Sequence, residues 1–156
     1  MQTKRRVFLK GSLAASAAGL AVGAGLLSPR AVLASEWPTA AFDATKMDAG
    51  LNELFGTADA AESGDVSVKA PDIAENGAVV PVTVESSIAD ANQVAIFVSK
   101  NPTPLVASFD LSGANPFVST RIRMGETDNV TGVVNAGGKL YKASKEVKVT
   151  IGGCGG

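Results

Sequence analysis

Val94-Ala95-Ile96-Phe97-Val98 is a run of five apolar residues, bounded by Gln93 and Ser99. A stretch this short, rich in β-branched and aromatic side chains, reads as a strand buried on both faces rather than as a helix. Outward from it the same signal repeats. Val66-Ser67-Val68 alternates and stops before Pro71, and Val79 to Val84 reads Val-Val-Pro-Val-Thr-Val. Residues 105–111, 118–124, 130–135 and 146–151 follow, the last alternating polar and apolar. Pro81 has no N–H for a ladder, so its strand is expected at an edge or a bulge. Turn-forming clusters separate the runs: Glu75-Asn76-Gly77, Asn101-Pro102-Thr103-Pro104, Ser112 to Pro116, and Ala136-Gly137-Gly138-Lys139. The last of these joins Val133-Val134-Asn135 to Leu140-Tyr141 as a hairpin. Roughly seven strands spaced about ten residues apart predict an all-β fold, an immunoglobulin-like antiparallel β-sandwich. No internal repeat is visible.

Before the strands, residues 39–55 read as one N-terminal helix. Met47, Leu51, Leu54 and Phe55 fall at i, i+4, i+7 and i+8, one face of a 3.6-residue period, with Pro38 near the start and Gly56 just past the end. That stripe is expected to pack on the domain rather than to bind a partner. The sequence thus divides into residues 1–34, a helix and linker at 35–64, a sandwich at 65–151 and a C-terminal arm at 152–156.

The first segment reads as an export leader. Lys4-Arg5-Arg6-Val7-Phe8-Leu9-Lys10 resembles a twin-arginine signal, with Lys4 where Ser or Thr is usual. A weakly apolar run of Gly, Ala, Leu and Ser over 11–27 follows, and Val32-Leu33-Ala34 places small residues before an expected cleavage at Ser35. At about 17 residues the run is at the short limit for a bilayer span, so no membrane insertion is expected. The expected location is the periplasm. The leader holds five of the 14 basic residues and no acid; 9 basic residues against 15 acidic then give the remaining 122 residues a charge of 9 − 15 = −6. That balance argues against a nucleic-acid partner, since phosphate binding needs a surplus of Lys and Arg.

The chain has no histidine and a single cysteine, Cys154. Ser-His-Asp and Cys-His nucleophile systems, imidazole metal ligands and a histidine base are thereby excluded. So are an internal disulfide and a CxxC redox pair. Asp and Glu are scattered, with no EF-hand loop or paired-acid motif. The chain therefore reads as no enzyme in its own right, binding no cofactor and no metal.

What chemistry remains sits at the end, in Gly152-Gly153-Cys154-Gly155-Gly156. Four residues without side chains give this segment almost nothing to bury, and ordering glycine costs more entropy than ordering any other residue. A mobile arm with its thiol in solvent is expected, reaching roughly 10 Å beyond Ile151. With no basic neighbour to lower its pKa, the thiol is a modest nucleophile by itself. It becomes useful where another protein supplies the activation, and narrow glycine flanks let the arm enter that protein's active site.

The tail from Val147 to Gly156 closely resembles the C-terminus of the SoxY family, the sulfur-carrying subunits of the Sox thiosulfate-oxidising system. The similarity extends through residues 69–77 (Lys-Ala-Pro-Asp-Ile-Ala-Glu-Asn-Gly), Lys100-Asn101-Pro102 and Val118-Ser119-Thr120-Arg121-Ile122-Arg123. The terminal Gly-Gly-Cys-Gly-Gly is the specific signal; the internal stretches carry no chemistry of their own. The resemblance implies that Cys154 is the attachment site for thiosulfate-derived intermediates, with Gly152, Gly153, Gly155 and Gly156 giving the arm its freedom. It also implies partners. A c-type cytochrome loads the cysteine, a dimanganese hydrolase releases sulfate, and a molybdenum-haem sulfane dehydrogenase acts in complete systems. A second β-sandwich subunit of the SoxZ type forms a complex with the carrier.

Three other readings fit less well. A Gly-Gly end bearing a thiocarboxylate, as in ubiquitin-like sulfur carriers, needs ATP-dependent activation in the cytoplasm, against the export leader. A secreted interaction domain using Cys154 for an intermolecular disulfide fits the composition. A thiol peroxidase would lack an activating neighbour and a resolving cysteine.

Overall fold

A computed structural model describes residues 37–150. Cys154, its four flanking glycines and the leader lie outside the described residues. Nine strands and two short helices are present among them. In chain order these are α1 (Thr39–Asp43), α2 (Met47–Phe55), β1 (Ala60–Glu62), β2 (Val66–Lys69) and β3 (Ile73–Ala74). Next come β4 (Val80–Ser86), β5 (Ala91–Val98), β6 (Leu105–Asp110), β7 (Phe117–Ile122), β8 (Asp128–Ala136) and β9 (Lys139–Val149).

Two sheets form. The larger has the order β1-β9-β8-β5-β6, with β3 also paired to β9, and the smaller has the order β2-β4-β7. Their facing sides make the main core: Val82, Val84 and Val118 from the small sheet meet Val94, Ile96 and Val130 from the large one. This is the all-β sandwich that the strand spacing predicts. Antiparallel pairing holds for every pair except β1–β9 and β3–β9, which are parallel.

The residues 94–98 are buried on both faces. Val94, Ile96 and Val98 enter the core between the sheets. Ala95 and Phe97 point the other way and, with Leu105, Val133 and Leu140, form a second core under Ala41 and Leu51 of the helices. The helices thus add a third layer on the outer side of the large sheet, and the Met47–Phe55 stripe does pack on the domain.

The helical segment corrects the single helix expected over residues 39–55. It breaks at residues 44–46, where Ala44 (φ −61°, ψ 133°) and Lys46 (φ −129°, ψ 144°) are extended. The cause is the geometry of burial. Ala41 and Leu51 are 10 positions apart, which on one continuous helix would set them about 80° apart around the axis. Both are buried against the sheet, at 0% and 2% exposure, and the break lets each face it. Gly56 ends α2 with φ 78° and an N–H donated to Asn52 O at 2.8 Å.

Two further differences concern strands. Residues 60–62, expected to be linker, form β1, and the segment read at 140–141 and the first part of the one read at 146–151 join in a single strand of 11 residues, Lys139–Val149. The hairpin ahead of it closes through Gly137 (φ 59°) and Gly138 (φ 81°), both in the left-handed region that a two-residue turn of this kind requires. Pro81 lies on the middle strand of the small sheet. β2, however, ends opposite Thr83, so at Pro81 β4 has a neighbour on one side only, and the missing N–H costs no ladder bond.

Candidate functional site

The last strand fixes where the chain's only thiol can go. β9 pairs along its length with β8, from Asp128↔Val147 to Ala136↔Lys139. Its other edge takes β1 at Leu140–Lys142 and β3 at Lys148–Val149. Val147 is fully buried. The strand is therefore clamped from both sides to its final residues.

Those final residues have the densest anchoring. Lys148 N donates to Asp72 O at 3.0 Å and Thr150 N to Ala74 O at 3.0 Å. On the opposite edge Val149 N donates to Thr127 Oγ1 at 2.9 Å, and the same hydroxyl donates to Val149 O at 3.5 Å. Lys145 Nζ meets Asp72 Oδ1 at 3.0 Å, but with Asp72 88% exposed this pair adds little. Gly77 passes against the strand so closely that a Cβ there would collide with Met124 O and lie 2.8 Å from Val149 Cγ1. Met124 N in turn donates to Gly77 O at 2.7 Å.

A second tier holds the loops that hold the strand. Asn101 Nδ2 donates to Arg123 O at 2.8 Å while its Oδ1 accepts from Gly125 N at 3.1 Å, tying down the turn after β7. Lys100 N donates to Asp128 Oδ2 at 2.7 Å and Lys100 Nζ to Thr127 O at 2.8 Å, positioning the residue that grips Val149. Residues 69–77 and Lys100-Asn101, which carry no chemistry in the sequence, thus build the root from which the tail departs. The sequence marks them as turns at Asn76-Gly77 and Asn101-Pro102. Nothing in one sequence shows that these turns converge on the end of β9.

A cleft of about 600 Å³ lies between the edges of β6 and β7 and is lined by Phe42, Leu105, Arg121, Ile122, Arg123 and Gly125, among others. Among the described residues no three Asp, Glu or Cys side chains are grouped to hold a metal ion. No helix among them is long and apolar enough to cross a membrane. Every site residue named from the sequence, Cys154 and Gly152, Gly153, Gly155 and Gly156, falls beyond Thr150, outside the described residues.

The fold defines a class: a helix-covered β-sandwich whose strand nearest Cys154 in sequence is held on both edges. The family described as sulfur oxidation protein SoxY matches residues 51–154, a span that includes Cys154. The chain belongs to the SoxY family. Among solved structures it is similar to the sulfur carrier protein SoxY from Chlorobium limicola f thiosulfatophilum, at 52% identity and a TM-score of 0.62, covering 68% of this chain and 97% of that one. An engineered protein solved at 1.98 Å shares 17% identity and a TM-score of 0.38 over 55% of this chain and 20% of its own, too little to bear on fold or function. No curated protein matches. Membership in the family makes the chain a sulfur carrier rather than a catalyst.

Proposed function

We propose that this protein holds thiosulfate-derived intermediates covalently on Cys154 while other enzymes of a Sox system work on them. One observation carries the reading: the strand before the tail is anchored on both edges up to Thr150, and the lone thiol follows four residues later. Such a tether fixes the origin of the thiol and leaves its reach to the glycines.

The chemistry balances with the reacting partners supplying what this chain lacks. In loading, the Cys154 thiol loses its proton and joins the sulfane sulfur of thiosulfate. An S–S bond forms, and the two electrons released pass to a c-type cytochrome, leaving Cys–S–S–SO₃⁻. A dimanganese hydrolase then adds water to the terminal sulfonate, breaking the S–S bond to it. Sulfate and two protons leave, and Cys–S–S⁻ remains for a sulfane dehydrogenase. With no histidine in the chain, activation of thiol and water falls to those enzymes. The subunit partner in this reading is a SoxZ-type β-sandwich.

Intact mass after incubation with thiosulfate and the oxidising cytochrome tests the reading. A thiosulfonate adduct is expected on the wild-type chain and none on Cys154→Ser, with the two melting alike. An adduct on another residue, or disulfide dimers through Cys154 as the sole product, refutes it. The leader resembling a twin-arginine signal supports export to the periplasm in the folded state, together with the partner. Deleting residues 1–34 should leave both proteins in the cytoplasm; a partner exported as before contradicts joint export.

A further inference from the structure

Asn76-Gly77 lies in the turn between β3 and β4, and Asn76 is the chain's only asparagine followed by glycine. The turn is built from the asparagine's own groups. Ala78 N donates to Asn76 Oδ1 at 3.0 Å, and Val79 N donates to Asn76 O at 3.2 Å. The first bond folds the side chain over the peptide that follows. Cγ lies about 1.2 Å from Oδ1, and so no more than about 4.2 Å from Ala78 N. Gly77 N, one residue nearer along the chain, donates to no partner among the described residues. Asn76 is exposed to water and Gly77 partly so.

One turn thus holds a nucleophile, an electrophile and a polarising donor. Gly77 has no side chain to shield its nitrogen. The Ala78 N–H sits on the oxygen that gains negative charge when the Asn76 side-chain carbonyl is attacked, as donors do for the tetrahedral intermediates of acyl transfer. Every other asparagine is followed by proline, which has no N–H, or by a residue with a side chain. Asn135 is the nearest match. Its Oδ1 accepts Gly138 N at 3.1 Å, but the next residue is Ala136.

We propose that Asn76 is a site of spontaneous deamidation, by ring closure onto Gly77 N, and that the isoaspartate it yields loosens the end of β9. The Gly77 N–Asn76 Cγ bond forms and the Cγ–Nδ2 bond breaks; Nδ2 leaves as ammonia with the proton from Gly77 N. Water then opens the succinimide. Attack on Cγ leaves aspartate, whose carboxylate still accepts the Ala78 N–H. Attack on the main-chain carbonyl carbon leaves isoaspartate, with the chain running through Cβ and Cγ and one methylene longer. That methylene falls directly before Gly77, whose carbonyl accepts from Met124 N at 2.7 Å and whose backbone lies too close to Met124 O and Val149 for any side chain. The displaced Gly77 no longer confines Val149, and the bonds from Val149 N to Thr127 Oγ1 and from Thr150 N to Ala74 O open more often.

Ageing the purified full chain in mildly alkaline buffer tests it, with peptide mapping by mass spectrometry and a free peptide of residues 73–80 kept alongside. Asn76 should convert at least as fast in the protein as in the peptide, while Asn135 stays intact. A protein that reacts more slowly than the peptide, or an Asn135 that keeps pace with Asn76, overturns the assignment of the turn. The isoaspartate fraction, separated chromatographically from the aspartate form, should exchange the Val149 and Thr150 amides roughly tenfold faster than fresh protein. Asn76→Asp should match fresh protein in exchange and in melting temperature. Unchanged exchange in the isoaspartate fraction, or equally fast exchange in Asn76→Asp, overturns the effect of the longer main chain on β9. None of these outcomes bears on the carrier reading, which rests on Cys154.

Discussion

Gly77→Ala isolates the contact that sets the root of the tail. Two effects of opposite sign compete. Removing a glycine from the unfolded chain stabilises by about 0.4–1 kcal/mol where the native backbone tolerates Ala. Here it does not: the added Cβ would overlap Met124 O and sit 2.8 Å from Val149 Cγ1, and the first of these is backbone rather than the end of a flexible side chain. Relief requires the β7–β8 turn to move, which lengthens the 2.7 Å bond from Met124 N to Gly77 O and loosens Val149. Overpacking of this kind costs roughly 1–3 kcal/mol, so the steric term wins. At about 4 °C per kcal/mol for a domain of this size, the melting temperature should fall by roughly 4–12 °C in a circular dichroism melt. Hydrogen exchange supplies the local readout. The amides of Lys148, Val149 and Thr150, which donate to Asp72 O, Thr127 Oγ1 and Ala74 O, should exchange faster than those in the middle of β5. A variant that melts at or above the wild-type temperature refutes the packing argument. One that melts lower while the three amides keep their protection would show that Gly77 matters elsewhere than at the root.

Other expectations follow from burial and reach. Leu51→Ala removes a side chain 2% exposed between α2 and the large sheet and should cost about 2–5 kcal/mol in urea unfolding; a loss under about 0.5 kcal/mol, the range of surface substitutions, would mean that the helical layer is not anchored there. Gly153→Val should slow enzymatic processing of Cys154 severalfold without shifting the melting temperature, as read by intact mass over time. A large loss of thermal stability in that variant would place the tail in the core instead.

The fold was legible where burial is written as pattern. The unbroken 94–98 run announces a strand covered on both faces, and Val80, Val82 and Val84 alternate with outward residues as a one-sided strand should. Legibility failed where a neighbour supplies the structure. Ala60-Ala61-Glu62 has no strand propensity of its own; it is extended because the open edge of β9 offers it partners. β9 itself looks interrupted because residues 142–146 include three charged side chains, yet Val130 to Val134 across the ladder hold it continuous. The helix break at 44–46 depends on where Ala41 and Leu51 land on the sheet, which local periodicity does not encode. At the site the division is sharper. Cys154 declares itself in sequence as the one thiol among glycines, while its root is assembled from Asp72, Gly77, Asn101, Met124 and Thr127, far apart along the chain.

The double pairing of β9 also bears on biosynthesis. Among the strands of the described residues β9 is made last, and it alone joins β8, β1 and β3 into one sheet. A polypeptide truncated before Lys139 would leave β1 and β3 with no partner, β8 with β5 alone and the core without Val147, so it has no route to this fold. Completion of the domain and arrival of the cysteine are nearly one event, since Cys154 lies five residues past the end of β9. Any cellular step that accepts folded molecules and rejects unfolded ones therefore selects, without inspecting it, for chains that were translated almost to the cysteine.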